Sequence, residues 1–280
     1  MMKKENEMVA IVAPAIKIQF WKEIYMTLNK GNVPFHLVFV GHVRPSFDLP
    51  PNFTYIYCPS GAGMCVEIGY RYVYENLKNA KFVVNIADDL ILSERFLEEL
   101  VSFYNLQQNK HPNRLVVVGP ICLMRSGEEN LMAIHDGGPT LLTPAFTTIE
   151  NSQNIGGVDK RFSGIYWDCD RALRVHQKEG AIIFASCDEM TPVVEREHNP
   201  GLYVRYSHVD RPFLDSLWKY TSDSSKNTAC GSYSKYDPEY EAKYGRKRNE
   251  LTYKKLAVQR KDEVQEYTNE ELKEYIQNAQ

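Results

Sequence analysis

Six short stretches of the chain consist almost entirely of apolar residues, and more polar segments separate them. Stretches that are apolar at successive positions are typical of strands buried on both faces, as in parallel sheets. The six stretches are residues 8–14, 35–41, 53–57, 81–87, 114–121 and 181–186. We therefore predict a largely parallel central sheet built from these strands.

The segments between these strands carry apolar residues at helical spacing. Residues 16–30 have an apolar side chain at every fourth position, and Gly31 follows as a helix stop. Three further helices are predicted at residues 63–77, 93–108 and 168–179. Alternating strands and helices predict the α/β fold class, here a mostly parallel sheet flanked by helices.

The composition of the chain changes near residue 215, beyond which apolar runs disappear and Lys, Glu, Tyr and Ser dominate. We predict one α/β domain over residues 1–214. A helical or irregular C-terminal extension over residues 215–280 would pack on this domain or trail from it. The basic cluster at residues 246–248 is either a solvated charged surface or a contact to phosphates or a membrane surface.

Composition and charge limit the partners of the protein. Its 280 residues are 43% hydrophobic and carry a net charge of −3, which argues against nucleic acid as a partner. No apolar run approaches the ~20 residues of a membrane-spanning helix, and the N-terminus lacks the pattern of a secretory signal. The six cysteines form no CxxC pair. These features predict a cytoplasmic protein with reduced thiols, for which peripheral membrane contact stays open.

Two adjacent carboxylates, Asp88 and Asp89, follow the fourth apolar stretch directly. Ligands of open α/β sheets bind outside the carboxyl ends of the strands. Neighbouring carboxylates raise each other's pKa unless a positive charge compensates, and Mg²⁺ or Mn²⁺ binds such oxygens together with substrate phosphates. A loop in which one Asp caps the next turn and the other faces water explains the pair equally well.

The segment VVNIADDLILSERFLEEL around this pair resembles the DxD region of GT-A-fold glycosyltransferases, family 2 in particular. The residues that match the pattern after the motif are Leu92, Phe96, Leu97, Glu98 and Leu100. Ala87 stands at the first Asp of the motif and Asp89 at the last. The resemblance implies that Asp89 binds a divalent cation, Mn²⁺ or Mg²⁺, and that Asp88 and Asp89 contact the nucleotide-sugar donor.

The preceding segment, GAGMCVEIGYRYVYENLKNAKFVV, is similar to the glycine-containing helix that comes before the DxD strand in this family. Gly61, Gly63 and Gly69 are in register. The resemblance implies that Gly61, Gly63 and Arg71 contact the donor. By position alone, Ala13 and Pro14 at the end of the first strand would hold its base and ribose.

A third segment, GGVDKRFSGIYWDCDRALRVHQKEGAIIF, resembles the acceptor region of the family. Its matching residues are Gly156, Gly157, Asp159, Phe162, Asp168, Asp170, Leu173, Arg174 and Gly180. The resemblance implies that Asp168 is the general base of an inverting enzyme and that Trp167 and Asp170 contact the acceptor. From the residues alone, Asp168 or Asp170 also suits the N-cap of the helix that follows.

Other candidate residues lie outside these three segments. His198 is the first candidate for a further metal ligand, and His208 is the second. Asp136 and Gly137, in the loop HDGGPTLL, are candidates for contact with the acceptor, although a plain turn explains them as well.

The resemblance predicts a metal-dependent glycosyltransferase that moves a sugar from a nucleotide diphosphate sugar, by family habit a UDP-sugar, to a hydroxyl of a glycan or glycoconjugate. A retaining outcome stays open. The first alternative is an NAD(P)-dependent Rossmann oxidoreductase, because Gly61 and Gly63 follow a strand and open a helix. A nucleotidyltransferase would need a basic glycine-rich loop near the N-terminus, and residues 11–17 do not form one. A non-catalytic GT-A-like binding protein also stays open, because Ala87 and Trp167 depart from the family motifs.

Overall fold

The computed structural model of the protein describes residues 7–126, 130–133, 144–185, 188–196, 200–218, 234–235 and 260–277. The strands in these parts of the chain are β1 (Met8–Pro14), β2 (Phe35–Gly41), β3 (Phe53–Tyr57), β4 (Ala80–Asn85), β5 (Leu90–Ile91), β6 (Val116–Gly119), β7 (Cys122–Ser126), β8 (Asn130–Ala133), β9 (Ala145–Thr148), β10 (Ala181–Phe184), β11 (Val193–Glu195) and β12 (Ser234–Lys235). The helices are α1 (Ile18–Leu28), α2 (Ala62–Asn76), α3 (Phe96–Lys110), α4 (Ile149–Ile155), α5 (Trp167–Gln177), α6 (Pro200–Leu217) and α7 (Asn269–Gln277).

The central sheet has seven strands in the order β10-β6-β9-β4-β1-β2-β3. Strand β9 is antiparallel to both of its neighbours, and the other neighbouring strands pair in parallel. The predicted α/β class and mostly parallel sheet are therefore confirmed. The six predicted strands all occur, whereas β9 and the short helix α4 that follows it were not predicted.

Helices cover both faces of the sheet because successive side chains of a buried strand point to opposite sides. From β1, Val9 and Ile11 pack with Trp21 of α1 in one core cluster, whereas Ala10 and Val12 belong to a second cluster. The second cluster contains residues of α2 and α5. The core is therefore a three-layer arrangement, and the strand ends are left at its edge.

A second sheet of five strands, in the order β12-β8-β7-β11-β5, lies beyond the end of β4. Its strand β5 follows Asp88 and Asp89 directly, and β11 pairs antiparallel with β5. This pairing brings the end of β11 next to the two carboxylates.

The described part of the C-terminal region packs on the α/β domain. Leu272 of α7 shares a core cluster with Leu214 and Trp218, and α6 runs across the predicted boundary between residues 214 and 215. The boundary itself stays a prediction. Among the described residues, no helix has both the length and the apolar character needed to cross a membrane.

Candidate active site at the carboxyl ends of the strands

The carboxyl ends of β1 and β4 form the point at which the strand order of the main sheet reverses. The chain passes from β1 to β2 and β3 on one side, and then returns to place β4 on the other side of β1. A crevice forms at such a switch point because the connections from the two strands leave in opposite directions. The residues at this crevice are 15–17 after β1 and 86–89 after β4.

Asp88 fixes the connection between β1 and α1. Its Oδ2 accepts hydrogen bonds from the backbone N–H groups of Ile16 and Lys17, at 2.7 and 2.6 Å, and from the Trp21 indole at 2.8 Å. Burial raises the pKa of Asp88, and these three donors oppose that rise. Asp88 therefore anchors backbone, and its predicted contact with a donor stays a prediction.

Asp89 forms an ion pair with a lysine of the same chain. Its carboxylate forms an ion pair with the Lys17 ammonium, and only 5% of the Asp89 side chain is exposed. The backbone oxygen of Asp89 accepts a hydrogen bond from the Arg196 N–H at 3.0 Å, which holds the end of β11 beside it. Sequence reasoning did not find Lys17, because no local pattern connects it with a carboxylate 72 positions away.

These contacts bear directly on the predicted divalent cation. A Mg²⁺ or Mn²⁺ ion on the Asp89 carboxylate would lie within ~4 Å of the Lys17 ammonium and repel it by about 8 kcal/mol at an effective dielectric constant of about 20. No cluster of three or more His, Cys, Asp or Glu side chains with the geometry of a metal site occurs among the described residues. Among the described residues the Asp89 carboxylate is therefore occupied by Lys17, and the predicted divalent cation stays a prediction. The proposed ligand His198 follows Arg196 closely in the chain but lies outside the described residues.

The glycines at the start of α2 bring this helix against the start of α5. A Cβ on Gly61 would lie 2.5 Å from the carbonyl oxygen of Ser163, and one on Gly63 would lie 3.3 Å from the Trp167 ring. Larger side chains would separate the two helix starts. The donor and acceptor segments inferred from the resemblance are therefore neighbours at one edge of the sheet.

Asp168 lies in the first turn of α5, with 6% of its surface exposed. Its Oδ1 accepts a hydrogen bond from the Cys169 N–H at 2.9 Å. Burial raises the pKa of Asp168 to about 6, and the backbone N–H donors and the charge of Arg171 oppose this rise only in part. A carboxylate with this pKa is ionised at neutral pH and accepts a proton more readily than an ordinary aspartate.

The loop before Asp168 is held by a residue that sequence reasoning missed. Asp210 of α6 is fully buried and accepts hydrogen bonds from the N–H groups of residues 163–165 at 2.8–2.9 Å. Tyr166 follows with a left-handed φ of 62°, a conformation that costs a non-glycine residue roughly 1–3 kcal/mol. Asp210 thus holds a strained connection that sets the start of α5.

Asp170 is buried behind the helix start and serves a structural contact. Its Oδ1 accepts hydrogen bonds from the Trp218 indole and from Arg260, both at 2.9 Å. Arg260 also forms an ion pair with Asp159 at 2.6 Å. Arg260 therefore ties α5 and the loop before it to the C-terminal segment, and the predicted acceptor contact of Asp170 stays a prediction.

The remaining candidates lie in varied surroundings. Arg71 forms ion pairs with Glu67 at 2.8 Å and with Glu266 at 3.3 Å, and 29% of its side chain is exposed. Ala13 is buried within the sheet, and His208 is exposed on α6. Pro14 is half-buried at the sheet edge, whereas Asp136, Gly137 and His198 lie outside the described residues.

Comparisons with known proteins give a likeness of fold only. No protein-family model and no curated protein matches the chain. The chain is similar to a mutant of Drosophila β-1,4-galactosyltransferase 7 solved with manganese, UDP-Gal and xylobiose, at 12% identity and a TM-score of 0.46, over 77% of this chain and 87% of that one.

Two structures of Staphylococcus aureus TarS are also similar. The shorter one matches at 10% identity and a TM-score of 0.45, over 79% of this chain and 76% of that one. The longer one matches at 12% identity and a TM-score of 0.49, over 75% of this chain and 39% of that one.

GT-A-fold glycosyltransferases are thus among the solved proteins to which this chain is similar, and they are the family that its motifs resemble. At these identities and TM-scores the likeness assigns no site residue.

Proposed function

We propose that the protein is an inverting glycosyltransferase that moves a sugar from a nucleotide diphosphate sugar, with UDP as the expected nucleotide, to a hydroxyl group of a glycan or glycoconjugate. Asp168 is the general base of this reaction. It takes the proton of the acceptor hydroxyl while that oxygen bonds to the anomeric carbon. The bond from the anomeric carbon to the diphosphate breaks, and its electron pair leaves with the diphosphate.

The environment of Asp168 is the observation that carries this proposal. The carboxylate is buried at the start of a helix, beside Trp167, and its pKa is raised to about 6. Ion pairs compensate the buried carboxylates of Asp159 and Asp170 in the same segment, whereas no ion pair to Asp168 occurs among the described side chains. Burial with no cation within hydrogen-bond distance is a usual means of matching a carboxylate to proton transfer near neutral pH.

The position of the glycine motif argues against the oxidoreductase alternative. In dinucleotide-binding folds the glycine-rich turn follows the strand at the switch point of the sheet. Here Gly61 and Gly63 follow β3, which is the edge strand of the main sheet, and the switch point lies between β1 and β4. The glycines instead permit the close contact between α2 and α5.

The test is the release of UDP from a panel of UDP-sugars, with and without mono- and disaccharide acceptors, by the wild type and by Asp168→Asn. We expect the variant to lose acceptor-stimulated turnover by about 10²- to 10⁴-fold, since it has no base, and to bind UDP as the wild type does. In the wild type, kcat/KM should fall about tenfold per pH unit below a pH of about 6, because Asp168 becomes protonated there.

Asp215→Asn on the exposed face of α6 is the matched control. Its ion pair with Arg211 is an exposed contact between successive helical turns, so we expect unchanged turnover. Full turnover by Asp168→Asn would show that the base is elsewhere. A wild type that binds UDP but never releases it from a UDP-sugar would favour the non-catalytic binding protein, and binding of NAD alone would favour the oxidoreductase.

A further inference from the structure

The carboxyl ends of β1, β2 and β3 lie side by side at one edge of the main sheet. Pro14 is the register partner of Val40, and Gly41 is the register partner of Tyr57. A Cβ on Gly41 would lie 1.8 Å from the carbonyl oxygen of Ala15, so the end of β2 touches the connection between β1 and α1. Tyr57 therefore lies one strand away from that connection, at the edge where ligands of open α/β sheets bind.

A cation lies over the ring of Tyr57. The Arg44 guanidinium is 4.6 Å from the centre of this ring, which is within the range of a cation–π contact. Arg44 follows β2 in the chain and is exposed, whereas Tyr57 is half-buried. Within the part of the chain that the structure describes, Arg44 forms no ion pair and no hydrogen bond. Its N–H groups are therefore available to a ligand at this edge of the sheet.

The spacing of the strands indicates which part of a nucleotide sugar would reach Arg44. Strand β3 lies two strands from β1, which is roughly 10 Å at the usual strand spacing. The switch point, where the diphosphate of the proposed donor would lie, is between β1 and β4. Because the ribose separates the base of a nucleotide from its phosphates, a donor placed in this way would bring its base to Arg44.

We propose that Arg44, held on the ring of Tyr57, donates a hydrogen bond to the base of the donor nucleotide and selects a base with an exocyclic carbonyl oxygen. Uracil and guanine carry such an oxygen, whereas cytosine and adenine carry an amino group at the equivalent position. This inference rests on the glycosyltransferase function proposed above and names the class of donor for the same site. Arg44 determines the specificity, and Tyr57 orients it.

A guanidinium held on a ring suits this role for three reasons. It has five N–H donors and no acceptor, so it binds a carbonyl oxygen and cannot bind the N–H groups of an amino group. Its charge makes the hydrogen bond about twice as strong as a neutral one. The ring beneath it restricts a long side chain before the ligand arrives, which reduces the conformational entropy that binding costs.

The experiment is calorimetric titration of the full-length protein with UDP, CDP, GDP and ADP, in buffer containing MnCl₂. UDP and CDP form a matched pair, because they share the ribose and the diphosphate and differ in the exocyclic group of the base. The variants are Arg44→Met, Tyr57→Leu and Tyr57→Phe, with Lys110→Met as the control. Lys110 is an exposed lysine in the last turn of α3, at the opposite edge of the sheet, before β6 begins.

We expect the wild type to bind UDP about 10- to 100-fold more tightly than CDP, since CDP offers Arg44 no oxygen at this position. Arg44→Met should weaken UDP binding by about the same factor and leave CDP binding unchanged, so that the preference disappears. Tyr57→Leu should weaken UDP binding by about 2- to 5-fold, because the cation–π contact is lost. Tyr57→Phe keeps the ring and should bind as the wild type does, and so should Lys110→Met.

Three outcomes would overturn this inference and leave the proposed glycosyltransferase standing. The first is a wild type that binds CDP or ADP as tightly as UDP or GDP. The second is an Arg44→Met variant that binds UDP as the wild type does. The third is an equal loss of UDP and CDP binding in Arg44→Met, which would show a contact with the shared diphosphate.

A wild type that binds none of the four nucleotides would overturn the proposed function and this inference together. Arg44 is exposed, so Arg44→Met should melt at the temperature of the wild type. Thermal melting of each variant checks that a loss of binding is not a loss of folding.

Discussion

Asp159, in the loop before α5, and Asp168, in the first turn of α5, are both buried, and their pKa values move in opposite directions. Burial raises the pKa of Asp159, but hydrogen bonds from Arg161 and Arg260 outweigh it and bring the value to about 2. Burial also raises the pKa of Asp168, and the weaker opposing contacts leave it at about 6. The presence or absence of an arginine within hydrogen-bond distance accounts for the difference.

This difference separates a structural carboxylate from one suited to catalysis. A carboxylate locked to arginines holds two parts of the chain together and does not take up a proton near neutral pH. A buried carboxylate without such a partner is a better base and destabilises the fold when it is ionised. Sequence similarity alone treats both as matched acidic positions of one motif.

The largest expected effect comes from removing Arg260, a cation that compensates the buried Asp159 carboxylate. Arg260→Met leaves Asp159 and Asp170 buried with weaker compensation, so we expect a loss of about 3–5 kcal/mol in the free energy of unfolding. Urea denaturation at pH 7 measures it. Lys261→Met, at the exposed neighbouring position, should change the stability by less than about 0.5 kcal/mol. A loss of similar size in both variants would show that Arg260 is not the contact that matters.

A smaller effect of opposite sign is expected at Asp168. Its folded pKa of about 6 lies above the unfolded value of 3.8, so the stability from this group is present below pH 3.8 and is lost as the pH rises through about 6. Two pKa units correspond to about 3 kcal/mol. As the pH rises from 4 to 8, we therefore expect the free energy of unfolding of Asp168→Asn to increase by up to about 3 kcal/mol relative to that of the wild type.

Urea denaturation at both pH values measures this gain, and the pH dependence separates it from any constant packing effect of Asn. The opposite pH dependence is expected for Asp159. The stability that this group contributes to the fold is present above pH 3.8 and is lost as the pH falls through about 2. A stability difference between Asp168→Asn and the wild type that does not change with pH would contradict the raised pKa of Asp168.

The smallest expected effect concerns Asp210, which holds the loop on the Asp168 side. Asp210→Asn keeps only one acceptor oxygen for the three N–H groups of residues 163–165, so we expect a loss of about 2 kcal/mol in stability. Turnover should fall as well, because the loop sets the start of α5. Asp215→Asn on the same helix is the control. Unchanged stability of Asp210→Asn would show that the loop keeps its conformation without these bonds.

The strands of the fold were predictable because each parallel strand buried on both faces leaves a continuous apolar run. Strand β9 was not predictable in this way, since its sequence, AFTT, is short and half polar, and its antiparallel pairing between β4 and β6 joins distant parts of the chain. Helix α3 begins at Phe96, later than the predicted start at residue 93.

The site was predictable only where local motifs describe it. Asp168, Gly61 and Gly63 could be proposed from the sequence because each lies within a short pattern, and their roles stay predictions. Lys17 and Asp210 were not found, since their contacts are with residues 72 and 45–47 positions away. Asp88 was predicted as a ligand contact, and its three hydrogen bonds are visible only once β1 and β4 lie side by side.

The contacts of Arg260 also determine when the site is completed during synthesis. Arg260 binds carboxylates that lie 90 and 101 positions earlier in the chain. At about 5–20 residues per second, the ribosome makes Asp170 roughly 5–20 seconds before it makes Arg260. Throughout that interval the nascent chain carries Asp159 and Asp170 without the arginine that joins them. We therefore expect the region around the start of α5 to reach its final form only late in translation, after the sheet has already folded.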